Sequence, residues 1–192
     1  MKVVPSIASG NLVNIEHSIM QLTKKFDNLH IDIEDGNFVP NLTFGIKTLK
    51  AIRQITDLPF SVHLMVTNPD QYLEDLYRLK CSHIFVHVES SPYLIRYLSA
   101  IRQHQIKACI ALNPISDIRL YDYLLDEIDA VLYLTSEIDG KGERFQPRIV
   151  SKMKALPEKE CWVDGGIDQN IMVQLPPFVD YAVMGRAIYN PQ

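Results

Sequence analysis

Short apolar runs rich in β-branched residues recur along the chain. Between them lie segments whose apolar residues return every three or four positions. Residues 2–7, 28–33, 60–65, 83–88, 107–111, 130–134, 160–163 and 181–184 read as strands. Residues 11–25 carry Leu12, Ile15, Ile19 and Leu22 at helical spacing. Asn68-Pro69 and Ser91-Pro92 each join a capping residue to a proline suited to a first helical turn. Residues 116–125 and 146–156 read as two further helices.

Strands alternating with helices imply parallel pairing through βαβ units. Eight such units close most economically into a compact (β/α)8, or TIM, barrel. A doubly wound open sheet is the rival, but no Gly-rich dinucleotide loop follows the first strand. No linker or low-complexity stretch divides the chain, so residues 1–192 are expected to form one domain. The eighth strand lies only a few residues from Gln192, so the final helix is expected to be truncated or missing. An uncovered barrel flank there would favour a homo-oligomer.

Composition narrows the class. About half the residues are apolar (47%), enough for a sizeable core. A net charge of −4 argues against a nucleic-acid binder that works through a basic surface. The N-terminal apolar run is too short for a signal peptide, and no segment approaches the ~20 apolar residues that span a bilayer. A cytoplasmic protein with no membrane partner is expected. Cys81, Cys109 and Cys161 are odd in number and widely spaced, and read as reduced core residues.

The chemistry concentrates in His30-Ile31-Asp32-Ile33-Glu34. Side chains alternate along a strand, so His30, Asp32 and Glu34 share one face. His63 lies in the third strand and Asp164 ends the seventh. In a parallel barrel, active sites form at the C-terminal strand ends. Taken singly, His63 reads as a hydrogen-bonded core histidine and Asp164 as a turn former before two glycines. Taken together, two histidines and two aspartates at strand ends point to a mononuclear metal site. Mixed nitrogen and carboxylate donors suit Zn, Mn or Fe better than calcium. Glycine turns at Gly165-Gly166 and Gly185 follow the seventh and eighth strands, where this fold often binds phosphate.

Several stretches carry a resemblance. They are Pro5-Ser6-Ile7, His30-Ile31-Asp32, Asp35-Gly36-Asn37-Phe38-Val39-Pro40-Asn41, and Val62-His63-Leu64-Met65-Val66. His87-Val88-Glu89, Ala111-Leu112-Asn113-Pro114, Val163-Asp164-Gly165-Gly166-Ile167 and Gly185-Arg186-Ala187-Ile188 follow in order. Over nearly its whole length the chain resembles the ribulose-phosphate 3-epimerase family. That resemblance implies a barrel holding one divalent metal, which interconverts D-ribulose 5-phosphate and D-xylulose 5-phosphate. It puts metal ligands at His30, Asp32, His63 and Asp164, with Asp32 and Asp164 as the acid/base pair. Proton transfer at C3 would pass through a metal-stabilised enediolate. Substrate contacts would fall on Ser6, His63, Met65, Gly142, Gly165, Gly166, Gly185 and Arg186.

Three positions depart from the family pattern. Glu34 replaces a methionine; it either leans into solvent, or it changes the substrate or weakens activity. The loop 136–145 carries charges in place of small and apolar residues, with Gly142 and Phe145 retained. Lys141 or Arg144 could contact phosphate there, though a solvated loop is the more economical reading. Arg186 stands where serine is frequent, and could serve the phosphate or neutralise Glu34. These departures keep two alternatives open. One is a 3-epimerase of a ketohexose 6-phosphate, of the allulose 6-phosphate type. The other is a non-catalytic sugar-phosphate-binding barrel. A phosphate-binding barrel of tryptophan or histidine biosynthesis would not explain His30, Asp32 and His63 as a set.

Overall fold

The computed structural model describes residues 1–139, 141 and 144–189. Its strands are β1 (Lys2–Pro5), β2 (Leu29–Glu34), β3 (Phe60–Met65), β4 (Cys81–His87), β5 (Lys107–Leu112), β6 (Ala130–Leu134), β7 (Glu160–Asp164) and β8 (Tyr181–Met184). All are parallel, in the order β1-β8-β7-β6-β5-β4-β3-β2. Ser6, just past β1, bridges to His30 and brings the two ends of the sheet together. The eight expected strands are all present, and the barrel is the expected (β/α)8 fold.

Helices lie between strands as α1 (Ile15–Leu22), α2 (Ile46–Arg53), α3 (Asp70–Tyr77), α4 (Leu94–Gln103), α5 (Pro147–Val150), α6 (Gln169–Met172) and α7 (Arg186–Tyr189). Local chemistry shortened several of them. Asn11 accepts the Val13 N–H and makes a tight turn, so the 11–25 segment opens as a 3-10 turn before α1. Leu12 is consequently exposed, while Ile19 and Leu22 are buried. The 116–125 segment is a 3-10 stretch, Ile118–Leu124, broken at Tyr121. The 146–156 helix shrinks to α5. Pro147 opens it, and Pro157 disfavours helical backbone at the residue before it. α3 begins one residue later than Asn68-Pro69 implies, with Pro69 itself at the cap position. The final helix is short, as expected.

Two apolar layers hold the barrel. Outward strand residues such as Ile31, Ile33, Val62, Leu64, Ile84, Val86 and Ile110 pack under the helices with Leu49, Leu76, Leu98 and Ile101. Strands covered on both faces read as near-continuous apolar runs, which is why these were visible in sequence. Inside the barrel a second cluster comprises Val4, Phe85, Cys109, Ala111, Ala130, Leu132, Leu134, Trp162 and Val183. Small side chains on β5 and β6 make room for the Phe85 and Trp162 rings, whose centroids lie 5.2 Å apart. All three cysteines are buried and unpaired.

The N-terminal floor of the barrel is polar. Glu160 accepts from His83 Nε2 at 2.9 Å and Trp162 Nε1 at 3.0 Å, and pairs with Lys107. Burial works against its charge, but these three donors overcome it and hold the carboxyl at about 2. Every oxygen of this carboxylate is engaged, so the floor reads as structure, and the chemistry lies at the other end.

Candidate active site

Alternation along β2 aims His30 and Asp32 into the barrel, while Ile31 and Ile33 face the helices. β2 and β3 pair Asp32 with His63 and Glu34 with Met65. β6 and β7 pair Leu134 with Asp164 at the last rung. Four side chains thereby converge at the C-terminal mouth. One donor atom from each of His30, Asp32, His63 and Asp164 lies within 4.8 Å of the others.

Asp32 Oδ1 lies 3.4 Å from His30 Nε2 and 3.3 Å from His63 Nδ1. Asp164 Oδ2 lies 3.9 and 3.7 Å from the same two nitrogens. His30 Nε2, Asp32 Oδ1 and His63 Nδ1 are all buried without a hydrogen-bond partner. Orphaned polar atoms are rare inside proteins. Three of them, facing one point from a nitrogen and carboxylate set, fit a divalent transition metal.

The partners behind these atoms agree with that fit. The Ser61 hydroxyl donates to the Leu29 carbonyl at 3.3 Å. It is therefore left to accept from His30 Nδ1, 3.0 Å away. That hydrogen bond leaves His30 Nε2 as the bare lone pair. Ser6 Oγ donates to Asp32 Oδ2 at 2.6 Å and fixes the carboxylate plane, so Oδ1 points inward. Thr43 clamps the same strand end, accepting from Glu34 N and donating to the Asp32 carbonyl.

The electrostatics follow from packing acids against imidazoles. Burial opposes the Asp32 charge, yet His30 and His63 outweigh it and hold the carboxyl far below its usual range. Burial alone would lower His63, but Asp164 and Asp32 raise it to about 9. Glu34 moves the other way, raised by burial and by the nearby Asp32 charge. It stands at the rim, where its carboxylate accepts from Asn41 Nδ2 at 2.7 Å. Asn41 is thus a neighbour that serves the Glu34 carboxylate directly.

The Asp35–Asn41 motif is explained by its turn. Asp35 accepts from Asn37 and Phe38 N–H through Oδ1, and from Thr67 N and Oγ1 through Oδ2. Burial resists its charge, but these four donors together outweigh it and bring the carboxyl to about 2. The turn ties the loop after β2 to the loop after β3. It lays the Phe38 ring 4.7 Å from His87.

Other expected site residues fall around the mouth. Met65 is buried at the end of β3. Gly165 and Gly166 have φ of 113° and 68°, a region that L side chains rarely adopt. A Cβ on Gly165 would strike Ser136 Oγ, and one on Gly166 would come within 2.6 Å of Phe145 N. A Cβ on Gly185 would meet Ser9 Oγ. These turns are therefore tightly crossed by the loops after β6 and β1. Arg186 opens α7, while Lys141 and Arg144 are exposed. Gly142 lies outside the described residues.

Sequence patterning passed over the side chains that stand behind the ligands. His87 and Glu89 were visible only as part of a matching stretch, and Ser61 not at all. Inward parity on β3 and β4 was the signal available for Ser61 and His87.

Comparison with known proteins agrees with this geometry. The model of the ribulose-phosphate 3 epimerase family matches residues 2–189. A ribulose-phosphate 3-epimerase of Bacillus subtilis (strain 168) is 32% identical over 201 residues, spanning 99% of this chain and 93% of its own. A chloroplastic ribulose-5-phosphate-3-epimerase of Arabidopsis thaliana is 34% identical, spanning 98% of this chain and 71% of its own. Among solved structures, a mutant tryptophan synthase α-subunit of Pyrococcus furiosus matches with a TM-score of 0.70. It is 12% identical and spans 97% of this chain and 88% of its own, a likeness of fold alone. No helix of the described residues is long and apolar enough to cross a membrane. With the family match running from residue 2 to residue 189 and bacterial and plant relatives sharing one activity, the chain belongs to the ribulose-phosphate 3-epimerase family, isomerases of the epimerase class.

Proposed function

We propose that the protein is a metal-dependent 3-epimerase that interconverts D-ribulose 5-phosphate and D-xylulose 5-phosphate. The observation that carries this reading is the set of bare, inward donor atoms of His30, Asp32 and His63 beside Asp164. The C3 proton lies α to the C2 carbonyl, and its removal leaves a planar enediolate. A divalent cation held by His30, Asp32, His63 and Asp164 would supply positive charge where the sugar oxygens become negative.

The remaining work falls to the chain. Asp32 is ionised across neutral pH and starts as a base. Asp164 sits on β7, three strands round the barrel from β2, so the two carboxylates can address opposite faces of the planar intermediate. Ser6 keeps Asp32 oriented. The Gly165-Gly166 and Gly185 turns, with Arg186, are assigned to the phosphate, which anchors the substrate away from C3 and aligns it.

Purified protein assayed on ribulose 5-phosphate and on allulose 6-phosphate, with metal content measured on the same sample, tests the proposal. Turnover of the pentulose, with solvent deuterium appearing at C3, is expected. Bound metal with turnover of the hexulose alone would move the assignment to the six-carbon sugar, with Glu34 as the first residue to examine. Bound metal with neither activity would favour a sugar-phosphate-binding barrel.

Metal loading should also release protons. His63 keeps its proton up to about pH 9 in the metal-free site, and a ligating imidazole must give up the proton on the coordinating nitrogen. At pH 7 His63 should therefore contribute about one proton per ion. Affinity should rise as pH climbs towards 9 and level off above it. Titration calorimetry in buffers of differing ionisation heat measures this. Identical heats in all buffers would contradict the site as described.

A further inference from the structure

His63 presents Nδ1 to the candidate metal centre and turns Nε2 towards β4. There Nε2 meets His87 Nε2 at 2.8 Å. The rings are stacked, with centroids 5.0 Å apart. His87 Nδ1 in turn meets Glu89 Oε2 at 2.9 Å. Both imidazoles are fully buried, so no water competes for these contacts. Glu89 Oε1 accepts from Asn113 N at 2.9 Å and from Ser116 Oγ. These bonds fix the carboxylate to the loop after β5. Phe38 covers the outer face of His87.

The direction of each hydrogen bond is set from the Glu89 end. An ionised carboxylate only accepts, so His87 Nδ1 must carry the proton. The buried, neutral His87 then offers Nε2 as a lone pair. A contact of 2.8 Å between two ring nitrogens needs one proton between them, and it must come from His63 Nε2. Once Nδ1 has given up its proton to a metal, His63 is thereby held as the Nε2–H tautomer, with the Nδ1 lone pair towards His30, Asp32 and Asp164. Reversing any link would place a proton on Nδ1, aimed at the cation.

We propose that Glu89 and His87 form a positioning relay that selects the metal-binding tautomer of His63. The proposal rests on the metal reading above. Neither residue is one of the four ligands, and their effect passes through His63. Outer partners of metal-ligating histidines commonly set metal affinity in this way, by 10- to 100-fold on removal.

Substitution at Glu89 gives the discriminating test. In Glu89→Gln the amide oxygen is drawn to the two donors on the Oε1 side, Asn113 N and Ser116 Oγ. The amide nitrogen is then left to donate to His87 Nδ1, which reverses the relay with little change of shape. In His87→Gln a carbonyl can still accept from His63 Nε2. Metal-free protein would be titrated with Co²⁺, followed by its visible bands, with a denaturant midpoint measured on each metal-free variant. Glu89→Gln should bind Co²⁺ roughly 10- to 100-fold more weakly with its metal-free midpoint held, while His87→Gln should recover much of the affinity. Affinity within twofold of wild type in Glu89→Gln would overturn the relay and leave the metal site standing. Equal losses in both variants, tracking the metal-free midpoint, would reduce the pair to a structural support and also overturn it. Wild-type protein that takes up no Co²⁺ would overturn the metal reading, and the relay with it.

Discussion

Asp32→Asn is expected to slow epimerisation by roughly 10³- to 10⁴-fold, about 4–5.5 kcal/mol of transition-state stabilisation. The amide keeps the size of the side chain and can still accept from Ser6 Oγ, 2.6 Å from Oδ2. It cannot take a proton from C3, and it removes the anion set between His30 and His63. Assays at saturating metal separate the lost base from weakened binding. Asp164→Asn should cost a similar factor from the other side of the mouth. The sharper signature is isotopic. If each aspartate serves one face, Asp32→Asn should still exchange the C3 hydrogen of one epimer with solvent, and Asp164→Asn that of the other. Deuterium uptake in both epimers at equal rates, in both variants, would mean that neither aspartate is tied to one face. That outcome would sink the two-aspartate assignment while leaving the barrel and its ligands intact.

The four inward residues of the mouth were legible because strand parity alone decides where they point. Once residues 28–33 and 60–65 are strands, His30, Asp32 and His63 share the interior whatever the helices do. Strand ends such as Leu134 and Met184 were also legible, since apolar runs stop there at turn-forming or polar sequence. Helix lengths were less so. Four-residue helices such as α5 and α6 present one turn to the barrel, too little for periodicity to register. α2 was not located, although Leu49 and Ile52 are buried at the expected spacing.

The relay behind His63 depends on register, which sequence does not carry. A shift between Phe60 and Ser61 pairs His63 with Phe85, and so sets His87, two residues further along β4, over the His63 ring. A one-residue slip would turn His87 towards the helices. Glu34 shows the limit of parity from the other direction. Its strand position aims it inward, yet at the last rung the Asn41 amide meets its carboxylate at the rim.

Trp162→Ala should remove about 3–5 kcal/mol of stability, a large share of the 5–15 kcal/mol typical of a folded domain. The ring is fully buried and stacks on Tyr181 at 4.2 Å, with His83 at 4.8 Å and Phe85 edge-on at 5.2 Å. Its neighbours across the interior include Cys109, Ala111 and Ala130, which are too small to close the cavity. The denaturant midpoint should fall accordingly. A loss below about 1 kcal/mol would mean that the interior layers collapse freely, against the packing described. Part of the loss should depend on pH. The indole N–H is one of three donors that hold Glu160 at about 2, against an ordinary value of 4.5. A depressed carboxyl stabilises the fold above its unfolded value, and that contribution disappears as pH falls through the folded one. Removing the donor lets Glu160 rise towards 4.5, so the indole's share of this stabilisation is present at neutral pH and absent near pH 2. The gap between wild type and Trp162→Ala should therefore narrow on acidification, leaving the packing loss alone. Trp162→Phe, which keeps most of the ring and loses the donor, should show the pH-dependent part with little of the rest.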